Sequence, residues 1–232
     1  MNLRMNGGNL ISQNGQSGIV IGDKTKANIY NKNLIQRNHG YGILAQGNDC
    51  EAIVANDIIK ENNAAGIAAL QGAFLTVRNQ TSIYRNKQYG VFVSGEGTKA
   101  QLKSISINNN SNCGIYIEKN AIATLKDASS VTKNRCNGIA VHAGGQLNCF
   151  GKVSVAYNKG NGIYASDSNT GIKVSNSYIR RNNGRGIYLK SNAVARTIMQ
   201  NSLTSNKKYG LYVKHASVKK ISKNKGSVRF VK

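Results

Sequence analysis

Three residues that could do nucleophilic chemistry stand at equal steps along the chain: Glu118, His142 and Ser166, 24 residues apart. An acid, an imidazole and a hydroxyl in that order are the parts of a relay. In it the base takes the proton of an attacking oxygen and the acid orients the base. The other acids are less organised. Nine Asp and Glu are scattered over 232 residues, and Asp49, Glu51 and Asp57, though close in sequence, have no acid 24 residues before or after them. Paired carboxylates for glycoside hydrolysis, or grouped ones for holding Ca²⁺, need such neighbours. Four cysteines, Cys50, Cys113, Cys136 and Cys149, lack the close spacing of a zinc site and read as isolated thiols. No metal or other cofactor is expected.

The bases suggest a different chemistry. Lys and Arg number 32 against 9 acids, a net charge of +23. Residues 1–127 hold 13 bases and 8 acids, whereas residues 128–232 hold 19 bases and a single acid, Asp167. So positive a field favours a polyanion, an acidic glycan or a nucleic acid. Many of the bases crowd recurring short segments: Arg37, Arg85, Lys87, Lys133, Arg135, Lys159, Arg180, Arg181, Arg185, Lys207 and Lys208. Lys190 and Lys214 extend the set.

What positions these residues is a repeat. Gly18, Gly42, Gly66, Gly90, Gly114, Gly138, Gly162, Gly186 and Gly210 are spaced by 24 residues without insertion or deletion. A fixed period of this length means an array in which each unit buries its face on its neighbours. No amphipathic stretch of period 3.6 occurs, so the units are not helical. Three short strand-like registers recur instead. One apolar column follows the glycines, from Ile19 to Leu211; a second runs from Ile11 through Ile35, Ile59 and Ile83 to Leu203. A third is Ile29, Ile53, Val77, Leu102, Leu125, Cys149, Val174, Ile198 and Ile221, with one-residue shifts.

Three strands per unit and a constant unit length predict an all-β, single-domain parallel β-helix over residues 1–232. About nine 24-residue coils would stack at ~4.8 Å. Asn14, Asn38, Asn62, Asn86, Asn110, Asn134, Asn158, Asn182 and Asn206 stand four residues before the glycines and predict a hydrogen-bonded Asn ladder along the axis. The glycine after each either supplies positive φ or makes room for close backbone approach.

Stacking turns columns into surfaces. Two residues after the glycines run Val20, Leu44, Ala68, Phe92, Tyr116, Ala140, Tyr164, Tyr188 and Tyr212, which should point outward as an aromatic wall. Ala140 leaves a notch between two rings, beside the expected Glu118–His142–Ser166 file. The basic segments flank the Asn column, so Arg85, Lys87, Lys133, Arg135, Lys159, Arg181, Arg185, Lys190, Lys207 and Lys214 should form a cationic edge next to Phe92, Tyr116, Tyr164, Tyr188 and Tyr212. Exposed rings in a row can stack on sugars or bases.

The phrase N-x-x-x-G-I-x-[AVIL] at this period resembles the right-handed parallel β-helix repeats of pectate-lyase-like and NosD-like carbohydrate-binding and sugar-hydrolase proteins. The resemblance covers about residues 10–225. It implies the fold and a carbohydrate ligand, but the carboxylate clusters of the sugar-cleaving members have no counterpart here. The expected function is a non-catalytic binding or scaffold module holding a polyanion, acidic polysaccharide or nucleic acid, along the basic, Tyr-bearing flank. The alternatives are a lyase or hydrolase acting on acidic polysaccharide at the notch, and a purely structural rod in a larger assembly. No signal peptide is visible and no apolar run reaches the ~20 residues of a membrane span. The N-terminal coil looks uncapped and calls for a partner or a further domain. The C-terminal "KNKGSVRFVK" is expected to cover the other end with a basic strand.

Overall fold

A computed structural model describes residues 1–231. The chain winds as a right-handed parallel β-helix with three sheets, of 11, 8 and 10 strands, and no helix among the described residues. Each coil crosses a first sheet (Lys26–Tyr30, for example), a second (Leu34–Gln36) and a third (Ile43–Gln46). All pairings between coils are parallel, and the second-sheet column keeps the strict repeat register from Ile11 and Ile35 to Val155 and Ile179. Ile35, Ile59, Ile83 and Ile107 are fully buried there, as are Ile43, Ile67 and Ile115 behind the third sheet. The C-terminal strand Val228–Val231 pairs with Leu211–Lys214 as the last rung of the third sheet.

One column needs correction. The buried file of the first sheet passes from Ile29 to Val54 and then to Val77, not through Ile53, which pairs with Asn28 and Thr76 outside the core. The cause lies in the turn between the third and first sheets. The step from Lys26 to its partner Glu51 is one residue longer than the repeat, and that from Glu51 to Phe74 is one residue shorter. The longer turn is thus compensated in the next coil, which leaves the other two sheets undisturbed.

The Asn ladder is continuous. In all eight steps from Asn14 to Asn206 the Nδ2 of one Asn donates to the Oδ1 of the next at 2.8–3.1 Å. Each Oδ1 also accepts a backbone N–H: Asn110 Oδ1 takes both the Nδ2 and the N–H of Asn86. Asn110 Nδ2 in turn donates to Asn134 Oδ1 and to the Ile83 carbonyl. Buried backbone groups of the turn are thereby paired by side chains. The left-handed residue of this turn is the one just before each Asn: Arg37, Glu61, Arg85, Lys133, Tyr157 and Arg181 have φ between 54° and 59°. The repeat glycines serve close approach instead. A Cβ on Gly114 would run into Val131 Cγ1, and would meet the Gly138 carbonyl at 2.7 Å and Asn134 Nδ2 at 2.8 Å.

A second, interrupted ladder lines the turn between the first and second sheets. Asn9 donates to Asn33, Asn33 to Asp57 Oδ1 at 2.9 Å, and at the other end Asn201 to Asn224. Thr81 and Ser129 occupy intermediate rungs, their hydroxyls donating to carbonyls three residues back, as Asn33 Nδ2 does. Asp57 has no such donor. Its Oδ2 is buried without a hydrogen-bond partner among the described residues. Burial pushes its carboxyl pKa up, against the pull of the Asn33 hydrogen bonds.

Both ladders can be tested by unfolding. Asn110→Ala strips four buried hydrogen-bonding groups of their partner and should cost about 3 kcal/mol or more in urea unfolding. Asp57→Asn replaces the unpartnered oxygen by a donor and should stabilise by about 1–3 kcal/mol at pH 7. Because the folded pKa of Asp57 is raised, the protonated wild type recovers stability in acid. The gain of the variant should therefore shrink as pH falls through that raised pKa towards the ordinary carboxylate range. Melting both proteins from pH 7 down to pH 4 checks the sign.

Candidate functional site: a ring wall and a cationic edge

The third sheet carries the wall. The column runs in register from Val20 and Leu44 through Phe92, Tyr116, Ala140 and Tyr164 to Tyr188 and Tyr212. Its rings pack against one another: Phe92 and Tyr116 centroids are 6.0 Å apart, Tyr164 and Tyr188 5.3 Å, Tyr188 and Tyr212 5.3 Å. Tyr89, from the residue before Gly90, stacks on Tyr116 at 4.7 Å, and Tyr209 on Tyr212 at 5.4 Å. Within the column these half-buried rings meet tilted or edge-to-face, with 54–69° between their planes. Burial holds the Tyr116 phenol protonated, its pKa pushed up to about 12, and raises that of Tyr89.

The expected notch is filled. The strand Ile139–Val141 is one residue shorter than the matching strands above and below, so His142 leaves the ladder and folds over Ala140, which is 1% exposed. The imidazole stacks on Tyr116 at 5.3 Å and meets Tyr164 at 5.2 Å. An imidazole thus replaces the ring that Ala140 lacks, and the wall is unbroken from Phe92 to Tyr212.

Glu118, His142 and Ser166 do come from successive coils, but their contacts differ from a relay. Glu118 Oε1 accepts from Ser94 Oγ at 3.1 Å. Ser166 Oγ lies 2.9 Å from His142 Nδ1, and Asp167 Oδ2 lies 3.4 Å from that same nitrogen. Serine and acid therefore share one nitrogen, whereas a relay needs them on opposite ones. Ser166 is also buried, at 4% exposure. Burial alone would raise the Asp167 carboxyl, but hydrogen bonds from the Ala143 N–H, Ser166 and His142 hold it below its ordinary value. The group ties two coils together. Among the described residues no cluster of His, Cys, Asp and Glu could hold a metal ion.

The cationic edge is uneven. In the N-terminal half Glu61 collects the bases: Arg37 Nε at 2.9 Å, Lys60 at 3.8 Å and Arg85 at 3.9 Å. Its carboxyl is held low, first by the Arg37 hydrogen bond. Arg85 is thus engaged, and Lys87 stands near it. In the C-terminal half Lys133, Arg135, Lys159, Arg181 and Lys207 are exposed, with no carboxylate within ion-pair distance among the described residues. Tyr157, Lys159, Arg181, Asn183 and Lys207 line an open cleft of about 510 Å³ there. Arg181 sits 5.6 Å from the Tyr157 ring centroid and donates to its hydroxyl.

Arg185 joins edge to wall. Its guanidinium lies 4.3 Å from the ring centroids of both Tyr188 and Tyr212, a cation held between two π faces. Its Nε is buried without a partner among the described residues. Lys190 and Lys214 are neighbours in register beyond it. Residue spacing alone did not reveal that Tyr89, Tyr209 and His142 belong to the wall. Tyr41, Tyr89 and Tyr209, each just before a repeat glycine, were the signal for two of the three.

A family model described as "Right handed beta helix region" matches residues 7–150 and 148–225. No curated protein sequence is significantly similar. Among solved structures, the periplasmic alginate epimerase AlgG is similar at a TM-score of 0.63 and 15% identity, over 90% of this chain and 61% of that one. The A-module of the Azotobacter vinelandii mannuronan C-5 epimerase AlgE4 is similar at 0.65 and 9%, over 99% and 80%. The chain spans about three-fifths of the AlgG structure, and at these identities the likeness is one of fold. With the family model matched over nearly the whole solenoid, the chain belongs to the right-handed β-helix family.

Proposed function

We propose that the protein is a non-catalytic module that holds an acidic polysaccharide along the cationic edge and ring wall of its C-terminal half. The observation that carries this reading is Arg185 between Tyr188 and Tyr212, a fixed cation set into an unbroken wall beside bases that no acid neutralises. Positions repeat once per coil, so carboxylates of a regular polymer meet cations in succession. Phenol hydroxyls donate to sugar hydroxyls and carboxylates between them. The wall rings pack tilted and edge-to-face against one another, so the phenol hydroxyls make the polar contacts rather than a row of open stacking platforms. Two alginate epimerases among the structural neighbours support a uronate polymer over a nucleic acid as the ligand.

A second reading, turnover of the same polymer, has one contact in its favour, the 2.9 Å approach of Ser166 to His142. The shared nitrogen and the buried hydroxyl oppose it.

Binding of polyuronate should weaken steeply and linearly on a log–log plot as salt rises, because counterions are released from the polymer. Charge reversal at Arg181 and Arg185 together should lower affinity roughly tenfold or more at low salt and flatten that slope. Single-stranded DNA bound more tightly than polyuronate would make the ligand a nucleic acid. Salt-independent or absent binding of both would leave the structural rod. Polyuronate incubated with the protein should keep its chain length and composition; turnover that His142→Ala abolishes would replace the binding reading by the catalytic one.

A further inference from the structure

Cys113 and Cys136 read in the sequence as isolated thiols, yet the coil geometry brings them together. Cys113 immediately precedes Gly114, and the Gly114 N–H donates to the Asn137 carbonyl in the next coil. Cys136 is therefore one residue off register from Cys113 in the adjacent coil. At strand spacing, that places their Cα atoms about 6 Å apart, inside the ~4.4–6.8 Å span a disulfide bridges. At the equivalent place one coil on, a Cβ on Gly160 would lie 2.6 Å from Asn137 Oδ1, so side chains at these two positions meet across the coils, and each thiol shifts the other's titration. Their environments differ sharply: Cys113 is 2% exposed, whereas Cys136 is half-buried and reachable from solvent. Cys136 also lies on the cationic edge, directly after Arg135 and between Lys133 and Lys159 of the exposed series.

We propose that Cys136 and Cys113 form a peroxide-reactive dithiol, in which Cys136 attacks and Cys113 resolves. The neighbouring Cys113 thiol holds the Cys136 thiol well below its ordinary range, and the same contact, with burial, raises Cys113. The thiolate is the nucleophile, and a positive, partly exposed surrounding is where reactive thiols occur. In the first step a Cys136 S–O bond forms as the peroxide O–O bond breaks, and the departing oxygen takes a proton to leave as water or alcohol. In the second, Cys113 sulfur attacks Cys136 sulfur, an S–S bond forms, the S–O bond breaks, and the proton of Cys113 leaves with the oxygen as water. Two electrons from the two thiols reduce one peroxide. Cys50 and Cys149, both at 0–1% exposure within the core, are built-in unreactive references.

Two measurements on the intact reduced protein test this. Iodoacetamide at pH 6.5 should alkylate Cys136 about fivefold faster than the same cysteine in the urea-unfolded chain, the thiolate fraction outweighing the lower intrinsic nucleophilicity. Hydrogen peroxide should then produce a two-dalton loss and a peptide cross-linked between residues 113 and 136. Cys113→Ser should instead accumulate a dimedone-reactive sulfenic acid on Cys136, while Cys136→Ser should leave Cys113 unmodified. Circular dichroism of both variants checks that the coils are intact. Native alkylation no faster than in the unfolded chain overturns the proposal. So does peroxide treatment that leaves both thiols reduced or drives Cys136 to sulfinate without a cross-link. None of these readouts depends on polysaccharide binding.

Discussion

A single amide oxygen per coil holds this molecule in register. Each ladder Oδ1 accepts from both the side chain and the backbone of the Asn below, so it fixes the height, phase and tilt of one coil against the next. A slip of one residue anywhere in the second-sheet turn would leave these buried donors and acceptors without partners, a cost of a few kcal/mol per group. That constraint explains the absence of insertions between the repeat glycines. Length variation, beside one bulge at Arg196 in the first sheet itself, falls instead mainly in the turn between the third and first sheets. There, steps one residue longer and one residue shorter than the repeat alternate without cost to the other two sheets. The glycines follow from the same constraint, since a methyl group at Gly114 would collide with the amide of Asn134.

Most of this architecture was legible because stacking makes the sequence two-dimensional. A column at the repeat period is a row of contacts, and the Asn, Ile and Tyr columns could be read directly as ladder, core and wall. What escaped was whatever crosses from one column to another. His142 belongs by number to the Glu118 and Ser166 file, yet it fills the gap over Ala140 because its strand ends one residue early. Cys113 and Cys136 fall one residue short of a full period apart, so a search at exact period leaves each alone. The second ladder was missed for another reason. Asn33, Asp57, Thr81 and Ser129 differ in type and resemble a solvent-facing turn, although all are buried. Orientation was also invisible: spacing puts the rings in a row, but only geometry shows that they meet tilted and edge-to-face.

The charge distribution gains its meaning from the same geometry. One carboxylate, Glu61, gathers Arg37, Lys60 and Arg85, so the N-terminal part of the edge is partly compensated. Past residue 128 the single acid, Asp167, turns towards His142 and leaves the edge lysines and arginines free. The molecule is thus polarised along its axis. Its left-handed turn position also throws Arg181 and Lys133 outward while their neighbours stay buried, so the edge carries charge without altering the core.

The unvarying coil length has a further consequence. Among the described residues no long loop interrupts the rungs, so no segment there folds across the cationic edge. On the binding reading proposed above, a filament shifted by one rung within the C-terminal half would still meet a base at each coil. Attachment of that kind is a sum of many weak, interchangeable footholds. Retention then grows with the number of rungs engaged, and short oligomers dissociate quickly where long ones remain and creep.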